Sequence, residues 1–445
     1  MDQILRDKML EDMRKVVQIP SVSSDKENVE KALDCFLELA AGMGFHTEKL
    51  VDGQIGIVEM GEGEEVCGIL VHLDVVDIGD ESQWFVPPYD VTVKDGKVYG
   101  RGVLDDKGSA IMSLYAMKAV LDSGKPLHKK IRMIIGTQEE VEWVDMYEYV
   151  AKYDLPDYAF TPDGHFPIGN VEKGYYDLVM NFPYGEADLQ PAGDLPKIVA
   201  IECGVASNIV PEKCTVILSN GEIVTADGMA AHTCLPDKGV NALFKMKEKL
   251  DAEYKLADNT CKKVIDMLYD YFNDFVGAKL GLAPKDEYYL GEYIHKNMYT
   301  PSVIRTTEDG VDVVVNGRFA YTTTKEEIQT AFEAMCEAYG GKIVGEDFLP
   351  AVFVSREAPY IQELAKAYEN VTGTEAEFVI DYGASYCKAM PNMVSFGPIF
   401  PDEVDMCHQA NEYMSLDKIE QMYDILKQCI GAIATSEASM KPAEA

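Results

Sequence analysis

The side chains on which chemistry could turn are His72, Asp105, Glu139, Glu140, Asp163 and His408, with Asp74 beside the first of them. His72-Leu73-Asp74 follows the apolar run Val66-Cys67-Gly68-Ile69-Leu70-Val71, which reads as a buried strand of an α/β sheet. His72 then stands at the strand's C-terminal end, where open α/β sheets place their ligands. Residues two apart on a strand face the same way, so Asp74 can reach the His72 ring and fix the tautomer of a metal-bound imidazole. Asp105 and Asp106 lie in Gly100-Arg101-Gly102-Val103-Leu104-Asp105-Asp106-Lys107-Gly108, whose glycines allow a sharp path from strand to helix. Glu139-Glu140 closes the apolar strand at 131–137, and Asp163 closes Tyr158-Ala159-Phe160. Adjacent residues at a strand end point to different sides, so Glu139 and Glu140 can hold different tasks. His408 lies in a polar loop before the last helix. Each group alone also suits a solvated turn; their recurrence at strand ends is what points to a site.

The charges fit metal chemistry. Asp105, Glu140 and Asp163 supply −3 and two neutral histidines add nothing, so two divalent cations (+4) leave +1 for a bound hydroxide. A donor set of imidazole and carboxylate suits zinc, with manganese or cobalt as alternatives. Glu139 is left over as a general base. The ten cysteines include no C-x-x-C pair, so they read as reduced thiols of a cytoplasmic protein rather than as metal ligands.

The elements that must position these groups follow from periodicity. Helices are expected over 4–19, 27–43 and 109–121, and the strand ends named above alternate with helical segments, as in a parallel or mixed sheet with covered faces. Near residue 173 the pattern changes. Over 174–350 strands dominate, with helices at 240–256, 260–276 and 325–338, and a strand–strand–helix order occurs twice. The α/β pattern then returns, with a helix at 359–371, strands at 376–380 and 393–396, and a last helix at 416–435. The expected organisation is an α/β domain made of 1–173 and 351–445, interrupted by an α+β insertion at 174–350 large enough for two lobes. The chain of 445 residues carries 40 Lys and Arg against 76 Asp and Glu, a net charge of −36. A surface that acidic disfavours nucleic acid and anionic membranes. No run of 18 apolar residues reads as a membrane span, and the N-terminus does not read as a signal peptide.

Taken together, His72-Leu73-Asp74, Gly100 to Gly108, Gly136-Thr137-Gln138-Glu139-Glu140, Thr161-Pro162-Asp163-Gly164, the segment from Ala231-His232 to Asn241-Ala242, and His408-Gln409-Ala410-Asn411-Glu412 resemble a known family. It is the di-zinc metallopeptidase family of carboxypeptidase G, succinyl-diaminopimelate desuccinylase, aminoacylase and carnosinase, and the likeness is strongest to its peptidase V-type bacterial dipeptidases. The resemblance covers nearly the whole chain. It implies a mixed-sheet catalytic domain interrupted by a lid. Asp105 would bridge two metals, His72 and Asp163 would hold one, and Glu140 and His408 the other. Glu139 would be the base, Asp74 would clamp His72, and the Asp105–Asp106 peptide would be cis. In the lid, His232 would stabilise the oxyanion with Asn208 nearby, and Arg318 would hold the substrate's carboxylate, with Lys388 as the next candidate. A small peptide is the implied substrate and a monomer the implied state. Two stretches depart from the pattern: Val141-Glu142-Trp143 replaces small residues, and Asp381-Tyr382-Gly383-Ala384-Ser385-Tyr386-Cys387-Lys388 replaces a glycine-rich segment. These bear on the substrate rather than on the metals. The readings to separate are a dipeptidase, an amidohydrolase acting on N-acyl amino acids, and a catalytically dead binding protein.

Overall fold

Four parallel strands lie side by side in a nine-stranded sheet, in the order Lys130–Gly136, Val66–His72, Tyr158–Thr161 and Met393–Ser395. Their register runs His72 against Gly136 and Ile69 against Phe160. Because they are parallel, their C-terminal ends fall along one edge of the sheet, and the loops that follow carry Asp74, Glu139, Glu140 and Asp163. The antiparallel strands Ile55–Met60 and His46–Leu50 extend the sheet on one side. Strand burial explains the apolar runs: Ile69, Val71, Ile131, Met133 and Ile135 belong to one core that also holds Ile111, Leu114 and Tyr115 of the Lys107–Asp122 helix. That helix is buried along most of its length, so it lacks an amphipathic pattern. A Cβ at Gly68 would stand 2.7 Å from Pro156 and 2.9 Å from Ala159, which explains a glycine inside a central strand.

The computed structural model describes residues 1–190, 193–283, 287–381 and 385–443. They divide into two units, Met1–Val171 with Val352–Ala445, and Glu172–Ala351. The second unit is built on a seven-stranded antiparallel sheet in the order Ile223–Asp227, Lys213–Leu218, Ile198–Cys203, Met298–Thr306, Gly310–Phe319, Gly174–Pro183 and Lys342–Leu349. The two strand–strand–helix repeats meet where Cys203 pairs with Ile304, so they share one sheet. The helices Ala242–Glu253, Thr260–Phe272 and Lys325–Ala338 contribute to its core. The last begins at a capping box, in which Thr324 Oγ1 accepts from Glu327 N–H and the Glu327 carboxylate accepts from Thr324 N–H. Asn241 and Asn259 cap the other two, their side chains accepting from Leu243 N–H and Lys262 N–H, and both helices stop short of the ranges that periodicity alone suggests.

Two local features go beyond the sequence reading. The helix Val144–Lys152 has no counterpart in the sequence reading; it starts at Trp143, held in the left-handed region at φ 54°. Gly317 sits inside the Gly310–Phe319 strand, where a Cβ would press on the Tyr299 ring at 3.1 Å. Among the described residues no helix is long and apolar enough to cross a membrane.

Candidate metal centre

His72 is 1% exposed, and its two ring nitrogens have different surroundings. Nδ1 lies 3.0 Å from the Asp74 carbonyl oxygen and 3.4 Å from the Asp74 carboxylate. A carbonyl can only accept, so Nδ1 carries the proton and the lone pair is on Nε2. Nε2 is buried and has no hydrogen-bond partner among the described residues. It faces Asp105 Oδ1 at 3.0 Å and Asp163 Oδ2 at 3.6 Å. On the far side of Asp105, His408 Nε2 lies 3.2 Å from Oδ2 and 3.1 Å from the Glu140 carboxylate. Asp105 thus stands between the two histidines. Ligand atoms of His72, Asp105 and Glu140 lie within 4.8 Å of one another, as do those of His72, Glu139 and Asp163. The Asp105–Asp106 peptide is cis, as the resemblance implies.

Electrostatics test whether these residues suit a cation. Burial pushes the Glu139 carboxyl well above the usual carboxylate range, and burial together with Asp105 pushes Asp163 up to about 7. Burial raises the Asp105 carboxyl, but the His408 and His72 imidazoles beside it outweigh burial and hold it low. His408, bonded to Asp105 and Glu140, is pushed up to about 10. Burial pulls His72 down, but Asp105 and Asp74 outweigh it and hold it well above the ordinary value. The cluster is therefore short of positive charge, which cations would supply. An unpartnered imidazole nitrogen aimed at two carboxylates fits a divalent ion.

Several contacts that sequence reasoning did not foresee hold this arrangement. The Asp74 carboxylate does more than face His72: it accepts from Glu139 N–H at 3.1 Å, Glu140 N–H at 3.2 Å and Ser23 Oγ at 2.7 Å. One buried carboxylate thus ties the histidine strand to the acidic turn. Glu412 does the same for the glycine-rich loop. It is fully buried and accepts from the N–H groups of Gly102 (3.0 Å), Leu104 (2.8 Å) and Asp105 (3.2 Å), and from Arg101 Nη1 at 2.7 Å. Glu412 lies four residues after His408, so it links the loops bearing both residues. Asp106 accepts from His72 N–H at 3.1 Å. At the first departure from the family pattern, the Trp143 indole donates to the Glu139 carbonyl at 2.6 Å. At the second, Tyr386 sets its ring edge-on to His72 at 6.3 Å and donates to Asp145, while Tyr382, Gly383 and Ala384 lie outside the described residues. Lys388 is buried in the same unit.

The remaining predicted residues belong to the second unit. Asn208 and His232 are exposed and lie on neighbouring backbone: Ile209 bridges His232, and Thr233 N–H donates to the Asn208 carbonyl at 3.0 Å. Arg318 is 4% exposed in its strand, with Nε 3.3 Å from Asn316 Oδ1 and the guanidinium 4.7 Å from the Tyr175 ring centre.

A mixed sheet whose parallel strands end on a cluster of histidines and carboxylates is the architecture of a metallohydrolase, and sequence comparison defines which. The model of peptidase family M20/M25/M40 matches residues 68–432, and the chain belongs to that family. The match agrees with the resemblance read from the motifs. A Bacillus subtilis (strain 168) protein named "Putative dipeptidase YtjP" is 31% identical over 438 residues, covering 92% of this chain and 91% of its own. Among solved structures, aminoacylhistidine dipeptidase from Vibrio alginolyticus superposes with a TM-score of 0.69 at 14% identity, over 97% of each chain. Human carnosine dipeptidase 1 does so with 0.58 at 13% identity, again over 97% of each. At such identities the two structures speak for the fold.

Proposed function

We propose that this chain is a metal-dependent dipeptidase that hydrolyses the peptide bond of free dipeptides. The observation that carries the reading is the His72 Nε2 lone pair, buried without a hydrogen-bond partner among the described residues and facing Asp105 and Asp163, in a member of a peptidase family. The Bacillus subtilis relative, named as a dipeptidase, supports the substrate class. His72 and Asp163 would hold one divalent ion, Glu140 and His408 a second, and Asp105 both. Zinc suits these donors best, with manganese and cobalt as alternatives. When bound, such ions polarise a carbonyl and lower the pKa of water. Glu139 takes a proton from the attacking water and delivers it to the leaving amine, as oxygen bonds to the carbonyl carbon and the C–N bond breaks. Asp74 keeps the His72 lone pair on Nε2. The unit Glu172–Ala351 serves as the lid: His232 donates to the developing oxyanion, Asn208 assists, and Arg318 forks onto the substrate's carboxylate.

Arg318 supplies the test. A dipeptidase measures length by a fixed cation for the free carboxylate, and a guanidinium offers two parallel donors that a lysine cannot match. Wild type and Arg318→Ala are compared on a dipeptide, its C-terminal amide and an N-acetyl amino acid. Wild type is expected to prefer the dipeptide. The variant is expected to lose about ten- to a hundredfold in kcat/KM on the dipeptide and to close most of the gap to the amide. Preference for the N-acetyl substrate would turn the reading to a deacylase, and equal discrimination by both enzymes would remove Arg318 from carboxylate binding. Turnover of none of the three by metal-loaded enzyme would favour the dead binding protein.

The active form we propose is a monomer in the cytoplasm, a compartment that suits ten free cysteines. Mixing inactive His232→Ala with inactive Glu139→Gln is expected to restore nothing; recovered activity would show that the histidine serves a partner chain.

A further inference from the structure

We infer that Cys234 is a positioning residue that locks the His232 ring in the tautomer with its proton on Nε2, through a contact of the thiol and the main chain with Nδ1. The inference rests on the oxyanion role proposed for His232, since only that tautomer leaves a neutral ring with a free donor.

The geometry is local to one turn. His232 Nδ1 lies 3.2 Å from the backbone nitrogen of Cys234, which donates to it, and 2.8 Å from Cys234 Sγ. A backbone N–H can only donate, so Nδ1 must be the acceptor and the ring proton goes to Nε2. The thiol, a weak donor, adds its S–H to the same nitrogen. Cys234 is 7% exposed whereas His232 is exposed, so the sulfur approaches the ring from the protein side.

The turn itself is held firmly. Val210 N–H donates to the Ala231 carbonyl at 2.8 Å, Thr233 N–H to the Asn208 carbonyl at 3.0 Å, and Leu235 N–H to the His232 carbonyl at 3.0 Å. Partial burial and the Arg318 cation pull the His232 imidazole below its usual pKa, which favours the neutral ring that has a tautomer to choose. His72 offers the contrast. There a carbonyl faces Nδ1 and the lone pair is left on Nε2, as a metal ligand requires; here an N–H faces Nδ1 and the proton is left on Nε2, as a hydrogen-bond donor requires.

The experiment reads the ring directly. Long-range nitrogen–proton NMR spectra of the metal-loaded, full-length protein are recorded near neutral pH, with the His232 signals assigned by their loss in His232→Gln. The wild-type ring is expected as the neutral Nε2–H form. Cys234→Ala, which keeps the main-chain donor and loses only the thiol contact, is expected to leave the Nε2–H form in the majority with a measurable share of the other tautomer and roughly a two- to tenfold lower kcat with KM unchanged, the loss of one modest hydrogen bond, and Cys234→Ser to restore both. A wild-type ring protonated on Nδ1 overturns the inference whatever the variants do, as does a Cys234→Ala enzyme with unchanged tautomer and kcat. An Nε2–H ring in an enzyme whose His232→Gln variant keeps full kcat upholds the lock and overturns instead the oxyanion role, so the two failures are distinguishable.

Discussion

Glu139→Gln is expected to lower kcat by about 10²–10⁴-fold while both metals stay bound, the loss that follows removal of a positioned acid–base group. Glu140→Gln is expected to lose activity together with metal. The two side chains leave one turn whose N–H groups are both anchored on Asp74. Glu140 meets His408 at 3.1 Å, whereas Glu139 is placed with His72 and Asp163. That second grouping makes the pair of variants decisive, because a carboxylate near an imidazole could also serve as a ligand. Metal content by elemental analysis beside kcat separates the roles. Equal metal loss in the two variants would make Glu139 a ligand and leave the base to be found elsewhere.

Exhaustive chelation is expected to abolish turnover, and zinc, manganese or cobalt to restore it. The physical reason is the concentration of buried and half-buried acid at the sheet edge, where Asp105, Glu139, Glu140 and Asp163 share two histidines. An ion that binds the folded state alone also stabilises it, by about 2.7 kcal/mol when free metal exceeds its Kd a hundredfold. The thermal midpoint should therefore rise as metal returns, in step with activity. Full activity with no metal left by elemental analysis would refute the assignment, and restored activity without a change in the midpoint would place the ion outside the fold's own charge cluster.

Much of this protein is set by local sequence. The Lys325–Ala338 and Leu416–Thr435 helices match their periodic patterns to the residue, because an apolar stripe and, for the first, a capping box are local signals. The chemistry-bearing residues are legible for a similar reason: His72 and Asp163 follow short apolar strands, and strand ends are where side chains leave the sheet. The family itself was readable from those motifs. What local sequence could not carry is which strands are neighbours. The Val66–His72 strand lies between Lys130–Gly136 and Tyr158–Thr161, and parallel neighbours come only through long crossovers. Nor did it mark Glu412 as the anchor of the Asp105 loop, since a buried carboxylate 308 residues from the N–H of Leu104 has the same letter as a solvated one. Trp143 reads as a departure from a pattern until its indole is seen on the Glu139 carbonyl. The two histidine tautomers are decided in the same way: composition supplies identical rings at 72 and 232, and only the folded backbone puts a carbonyl against one Nδ1 and an N–H against the other.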